Sequence, residues 1–180
     1  MKAFRRSRGR VVWRCSANEV QLLTSLTEQY VELMAPPAAV RDDDPLAQLA
    51  GEMDLEPLNR DDPAIEKLFP IAYRDDPGAD AEYRSHAEAS MRRAKAMDAA
   101  VVLAALEAAG DDVEIPLADV DAWLRTTNGL RLVLGARLGI ETADMAEAVD
   151  DLDPDHPAYA AVEIYQWLGY VQTALLDVLQ

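Results

Sequence analysis

Cysteine is almost absent from this 180-residue chain. Cys15 stands alone, so neither an internal disulfide framework nor an all-cysteine zinc site can be built. Histidine is nearly as scarce, with His86 and His156 only. A di-iron or di-manganese helical bundle needs two Glu-x-x-His pairs, and the chain has neither. Long apolar runs are missing too: the longest, Ala99 to Leu106, lies between Asp98 and Glu107, far short of the roughly 20 residues of a membrane helix. No Gly-rich phosphate loop, no Gly-x-Ser-x-Gly elbow and no Cys-His-Asn arrangement can be written from these residues. The basic start, Met1 to Arg10, is not followed by the apolar stretch of a signal peptide, so a cytoplasmic location is expected, with no membrane association.

What is present is acid: 33 Asp or Glu against 17 Lys or Arg, a net charge of −16. The charge is unevenly laid out. Lys2, Arg5, Arg6, Arg8, Arg10 and Arg14 place six of those 17 bases and no acid in the first 15 residues, a basic cap on an acidic body. A nucleic-acid binder spreads positive charge over its footprint, which this body opposes. Two readings of the cap remain: it folds onto its own acidic body, or Arg5, Arg8, Arg10 and Arg14 dock on an acidic partner.

The periodicities predict a mainly α fold, a bundle-like single domain over residues 1–180 with an N-terminal β-hairpin. Arg8-Gly9 suits a two-residue turn, and the resulting register pairs Phe4 with Trp13. Ser16-Ala17-Asn18-Glu19 is a capping box opening a helix to about Met34. Residues 35–79 form a proline-rich connection with short helices. Three similar tetrapeptides there end in Asp-Pro, at Pro45, Pro63 and Pro77, and read as helix starts with an Asp cap and Pro in the first turn. Residues 80–180 make the helical core. A long helix is expected over Asp80 to Ala109, with Tyr83, Ala87, Met91, Ala94, Met97, Val101, Ala105 and Ala108 facing inward. Pro116 opens a helix to Leu138, a short helix surrounds Thr142 to Val149, and Pro157 opens a last helix to Leu179. That last helix is apolar on two sides, so it is expected to be central or covered by a second copy of the chain, with Trp167 on its outer apolar back.

No catalytic or metal-binding residues are expected, and no cofactor. Asp151, Asp153 and Asp155 match the first ligand positions of a calcium loop, but the turn position holds His156 and the twelfth holds Val162. The sharper feature is helical phase: Arg131 falls on the apolar face of Val120, Leu124, Thr127, Leu134 and Leu138, where it needs a partner. Asp98 and Gln172 fall on the inner faces of their own helices. A buried polar cluster of Asp98, Asn128, Arg131 and Gln172 is therefore expected, and removing Asp98 should cost roughly 3 to 5 kcal/mol.

The string Trp123-Leu124, then Asn128-Gly129-Leu130-Arg131-Leu132-Val133-Leu134-Gly135-Ala136-Arg137-Leu138-Gly139-Ile140, with the Arg-rich opening and Tyr165-Gln166-Trp167-Leu168-Gly169, resembles an actinobacterial family. It is the domain of unknown function numbered two thousand and seventeen, and the likeness covers nearly the whole chain. The resemblance implies a small bacterial protein without assigned activity, encoded near ClpS, the adaptor of the Clp protease. The leading expectation is a non-catalytic interaction or regulatory protein near Clp-dependent proteolysis, with the hairpin cap or Trp167 as its contact surface. The alternative is a small-anion-binding protein or enzyme whose pocket is lined by Asn128, Arg131 and Arg137.

Overall fold

A computed structural model describes residues 4–34, 58–142, 145 and 152–180. The hairpin forms where the sequence puts it. β1 (Phe4–Ser7) and β2 (Arg10–Trp13) pair antiparallel with Phe4 opposite Trp13. Arg8 and Gly9 take positive φ, 46° and 80°, the twist that closes a tight two-residue turn. The Phe4 and Trp13 rings stack with centroids 5.3 Å apart, joining the edge strand to the core.

Helix α1 (Ala17–Met34) opens on the capping box: the Ser16 N–H donates to Glu19 Oε2 at 2.7 Å and the Glu19 N–H to Ser16 Oγ at 3.3 Å. Two of the three Asp-Pro motifs act as helix starts. Asp62 accepts from the Ala64 N–H at 2.8 Å above α2 (Pro63–Leu68), and Asp76 accepts from the Gly78 and Ala79 N–H groups above α3 (Pro77–Glu107). The third motif lies outside the described residues, as do most of the connection after Met34 and most of the short helix expected near Thr142.

Three expectations are corrected. The chain makes a third strand, β3 (Val113–Pro116), antiparallel to β2 with Val113 opposite Trp13 and Ile115 opposite Val11. Pro116 therefore ends a strand before a 3-10 turn at Leu117–Asp119, and helix α4 begins only at Val120 (Val120–Arg137). Val11, Trp13, Val113 and Ile115 are fully buried and make the sheet face that packs on the helices.

The second correction is the rotation of α3. Its buried residues are Asp80, Arg92, Ala99, Val102 and Leu106, while Tyr83 and Met97 are exposed. Two polar side chains on the inner face defeat a count of apolar residues. Arg92 is held there by Glu88, 3.7 Å away, and by the Met34 carbonyl, to which its Nε donates at 2.8 Å. Asp80 accepts from the Ala72 and Tyr73 N–H groups and pairs with Arg84 at 3.0 Å. Burial pushes the Asp80 carboxyl up, but these bonds outweigh it and hold the group below the ordinary carboxylate range.

Third, the central helix is α4 and not the last one, α5 (Tyr159–Asp177). Helix α4 packs against α1, α2, α3 and α5, and buries Trp123, Leu130 and Val133 together with the small residues Ala122, Gly129 and Gly135. In α5, Leu168, Val171 and Leu175 are buried, whereas Tyr170 and Leu176, and Leu179 just beyond the helix, are exposed. The chain's three tryptophans meet between these elements: Trp13 lies 6.2 Å from both Trp123 and Trp167, ring centroid to centroid. Among the described residues, no helix is long and apolar enough to cross a membrane.

Candidate functional site

Helix α4 presents polar side chains on two of its sides, and the expected four-residue cluster is divided between them. On one side, Arg131 donates from Nη1 to Gln172 Oε1 at 2.8 Å and lies over the Tyr165 ring, 5.0 Å from its centroid. Its Nη2 reaches the Tyr165 hydroxyl at 3.5 Å. The guanidinium rests beside Gly169, and its Nε is buried without a hydrogen-bond partner. Among the described residues no carboxylate stands within ion-pair distance of Arg131. The ring face and the Gln172 amide carry the charge instead.

Asp98 is on the other side. It is gripped by Arg125, whose Nε donates to Oδ2 at 2.7 Å and Nη2 to Oδ1 at 2.8 Å. The expected Asp98 to Arg131 pair is thus corrected. Arg125 and Arg131 are six residues apart, which places them about a third of a turn from each other around the helix. Helices α3 and α5, which carry Asp98 and Gln172, pack on different sides of α4. Asn128 is exposed and belongs to the Asp98 side. Arg137 sits apart from both, 3.9 Å from Asp62.

The Asp98 side is a groove of about 500 Å³ between α1, α3 and α4. Leu68, Met91 and Leu132 give it an apolar floor, and exposed Met97 forms part of its wall. Tyr30, Lys95, Thr126 and Asn128 supply polar groups beside the Asp98 to Arg125 pair. Tyr30 reaches the groove because position 129 is glycine: a Cβ there would collide with the phenol, standing 2.7 Å from its Cζ. Burial, reinforced by the Asp98 charge, pushes the Tyr30 hydroxyl up to about 12, so it stays a proton donor at neutral pH. Burial lowers Lys95, with Asp98 opposing, and its ammonium sits 5.7 Å from the Phe69 ring centroid. Apolar periodicity could not find this groove, since it depends on the true rotation of α3.

The residues expected to meet a partner are partly engaged within the chain. Arg5 and Arg14 approach Asp112 at 3.9 and 3.6 Å, and Arg10 pairs with Glu114 on β3. Arg8 projects at the exposed turn. Trp167 is half-buried against Trp13, so the expected outer apolar back of the last helix is turned inward. The aspartates after residue 151 shape a loop: Asp153 accepts from the Asp155 N–H at 2.9 Å, and His156 Nδ1 accepts from the Ala158 N–H at 3.1 Å. Asp151 lies outside the described residues. Among the described residues, no group of three or more His, Cys, Asp or Glu side chains is placed to hold a metal ion.

The chain belongs to the family described as domain of unknown function DUF2017, whose model matches residues 1–179. It is 29% identical over 175 residues to the "Oxidative stress regulator AosR" of Mycobacterium tuberculosis and of Mycobacterium bovis, covering 90% of this chain and 78% of those proteins. It is 27% identical over 172 residues to the "Putative oxidative stress regulator AosR" of Mycobacterium leprae, covering 88% of this chain and 77% of that protein. No solved structure matches the chain. The relatives' name points to oxidative stress and not to the Clp protease.

Proposed function

We propose that this member of the family is a non-catalytic regulatory protein of a bacterial response to oxidative stress, acting in the cytoplasm through contact with a protein partner. The observation that carries the reading is the similarity to the mycobacterial regulators, which runs through 90% of the chain. The Clp adaptor system is not part of the proposal, since neither the fold nor the relatives' names lead to it.

The architecture agrees with a contact protein. The basic cap is anchored to the acidic strand β3 through Arg10 and Glu114, which fixes the direction in which Arg8 and the edge strand project. The single cysteine of these 180 residues excludes a thiol–disulfide switch within them, so a peroxide signal reaches this protein through a partner or ligand, or through oxidation of Cys15 to a sulfenic acid or an intermolecular disulfide. A homodimer is one form such contact can take, using exposed Tyr170 and Leu176 on α5 and Leu179 just beyond it.

Cross-complementation tests the reading. A Mycobacterium tuberculosis strain lacking its AosR, supplied with this chain, should recover peroxide survival toward the parent level. A strain that accumulates the folded chain without any gain in survival would overturn the proposal.

A further inference from the structure

The groove between α1, α3 and α4 is built differently from the polar sites that hold the fold together. At two of them each charge has its counterpart: Asp80 has two N–H donors and Arg84, and Glu88 stands between Arg60 and Arg92. In the groove the accounting is incomplete. Asp98 accepts from both donor arms of Arg125, and Lys95, one turn away on α3, feels its charge without an ion pair to it. Among the described residues, Lys95 has no carboxylate within ion-pair distance, and its ammonium lies over the Phe69 ring. Thr126 is 2% exposed and lines the groove, and its Oγ1 has no hydrogen-bond partner. Among the described residues nothing satisfies this buried hydroxyl, an unfavourable state that a bound ligand would relieve.

We propose that this groove is a binding site for a small amphiphilic monoanion, a carboxylate carried on an apolar body. Lys95 supplies a positive charge that no ion pair among the described residues neutralises. The hydroxyls of Tyr30 and Thr126 and the amide of Asn128 supply hydrogen bonds to the head, and Met91, Leu132 and Met97 receive the body. One net positive charge inside a chain of net charge −16 suits a monoanion and disfavours phosphate, which carries more charge and nothing for the apolar floor. The volume of about 500 Å³ lies within the range of small-molecule sites. Gly129 belongs to the design, because any side chain there would displace the Tyr30 phenol from the groove. The inference is independent of the regulatory reading, as it concerns binding by the isolated protein.

The test uses the full chain with 13C-labelled methionine methyls, titrated at pH 7 with octanoate, with octanol as the uncharged equivalent and with inorganic phosphate. Octanoate should move the Met91 and Met97 methyl signals while leaving Met34, buried at the end of α1, in place. Octanol should bind at least about tenfold more weakly, the usual loss when one charge-assisted contact is removed. Phosphate should leave Met91 and Met97 unmoved. Lys95→Gln, confirmed folded by its melting curve, should bring octanoate down to the affinity of octanol. Thr126→Val should weaken octanoate severalfold, and Arg10→Gln should leave it unchanged. The proposal is overturned if octanol binds as tightly as octanoate, if Lys95→Gln binds octanoate like wild type, or if no probe moves Met91 and Met97.

Discussion

Arg125 holds Asp98 with both arms of its guanidinium, 2.7 and 2.8 Å from the two carboxylate oxygens. The pair joins α3 to α4 at the rim of the groove. Arg131 faces the other side of α4, where it meets Gln172 and the Tyr165 ring.

The Arg125 side chain is 62% exposed, so solvent screens this contact. Asp98→Ala should lower stability by at most about 1 kcal/mol, far below the 3 to 5 kcal/mol expected for a buried pair. Urea denaturation of the variant checks this. A loss of several kcal/mol would show that Asp98 supports a buried charge after all.

Arg92 is the buried cation of the fold, with its side chain 6% exposed between Glu88 and the Met34 carbonyl. Arg92→Ala should cost about 1 to 3 kcal/mol, because it strands the buried Met34 carbonyl, while Glu88 keeps its pair with Arg60. The same denaturation experiment, run beside Asp98→Ala, should separate the two variants clearly.

Gly129→Ala should destabilise the protein by about 1 to 3 kcal/mol, although alanine is the better helix former by about 1 kcal/mol. The reason is the Tyr30 phenol, which occupies the space of the missing Cβ. The double variant with Tyr30→Leu should recover part of the loss. A stabilised single variant would mean that Tyr30 does not pack there.

Asp80 is held below its ordinary range in the folded state, so it contributes stability above the unfolded-chain value of about 3.9, and that contribution disappears as pH falls through the lower folded value. Asp80→Asn should therefore be less stable than wild type at pH 7. The gap should narrow steadily as the pH is lowered below about 4. An equal gap at pH 7 and at low pH would remove the electrostatic part of the explanation.

Where local chemistry decides, the sequence was legible. Arg8-Gly9 set the hairpin turn and with it the Phe4 to Trp13 register, Ser16 and Glu19 capped α1, and Asp62 and Asp76 started helices before Pro63 and Pro77. The rest depends on tertiary partners that no local pattern reveals. Strand β3 is four residues long and forms only because β2 offers it an edge. The rotation of α3 follows from burying Arg92 and Asp80, each satisfied by residues distant in sequence or by backbone groups. The centrality of α4 was hidden by Thr126, Thr127, Gly129 and Gly135, which read as weak helix yet allow close packing on several sides. The groove inherits the last two, and so the candidate site was the least legible part of the chain.

The central claim is that this protein serves a bacterial oxidative-stress response. Its most direct test is survival of the chain's own host under hydrogen peroxide, with the gene deleted and then restored on a plasmid. The account predicts that the deletion strain dies faster than its parent under peroxide, grows normally without it, and regains resistance with the restored gene. Equal survival of deletion and parent strains across the peroxide range would contradict it.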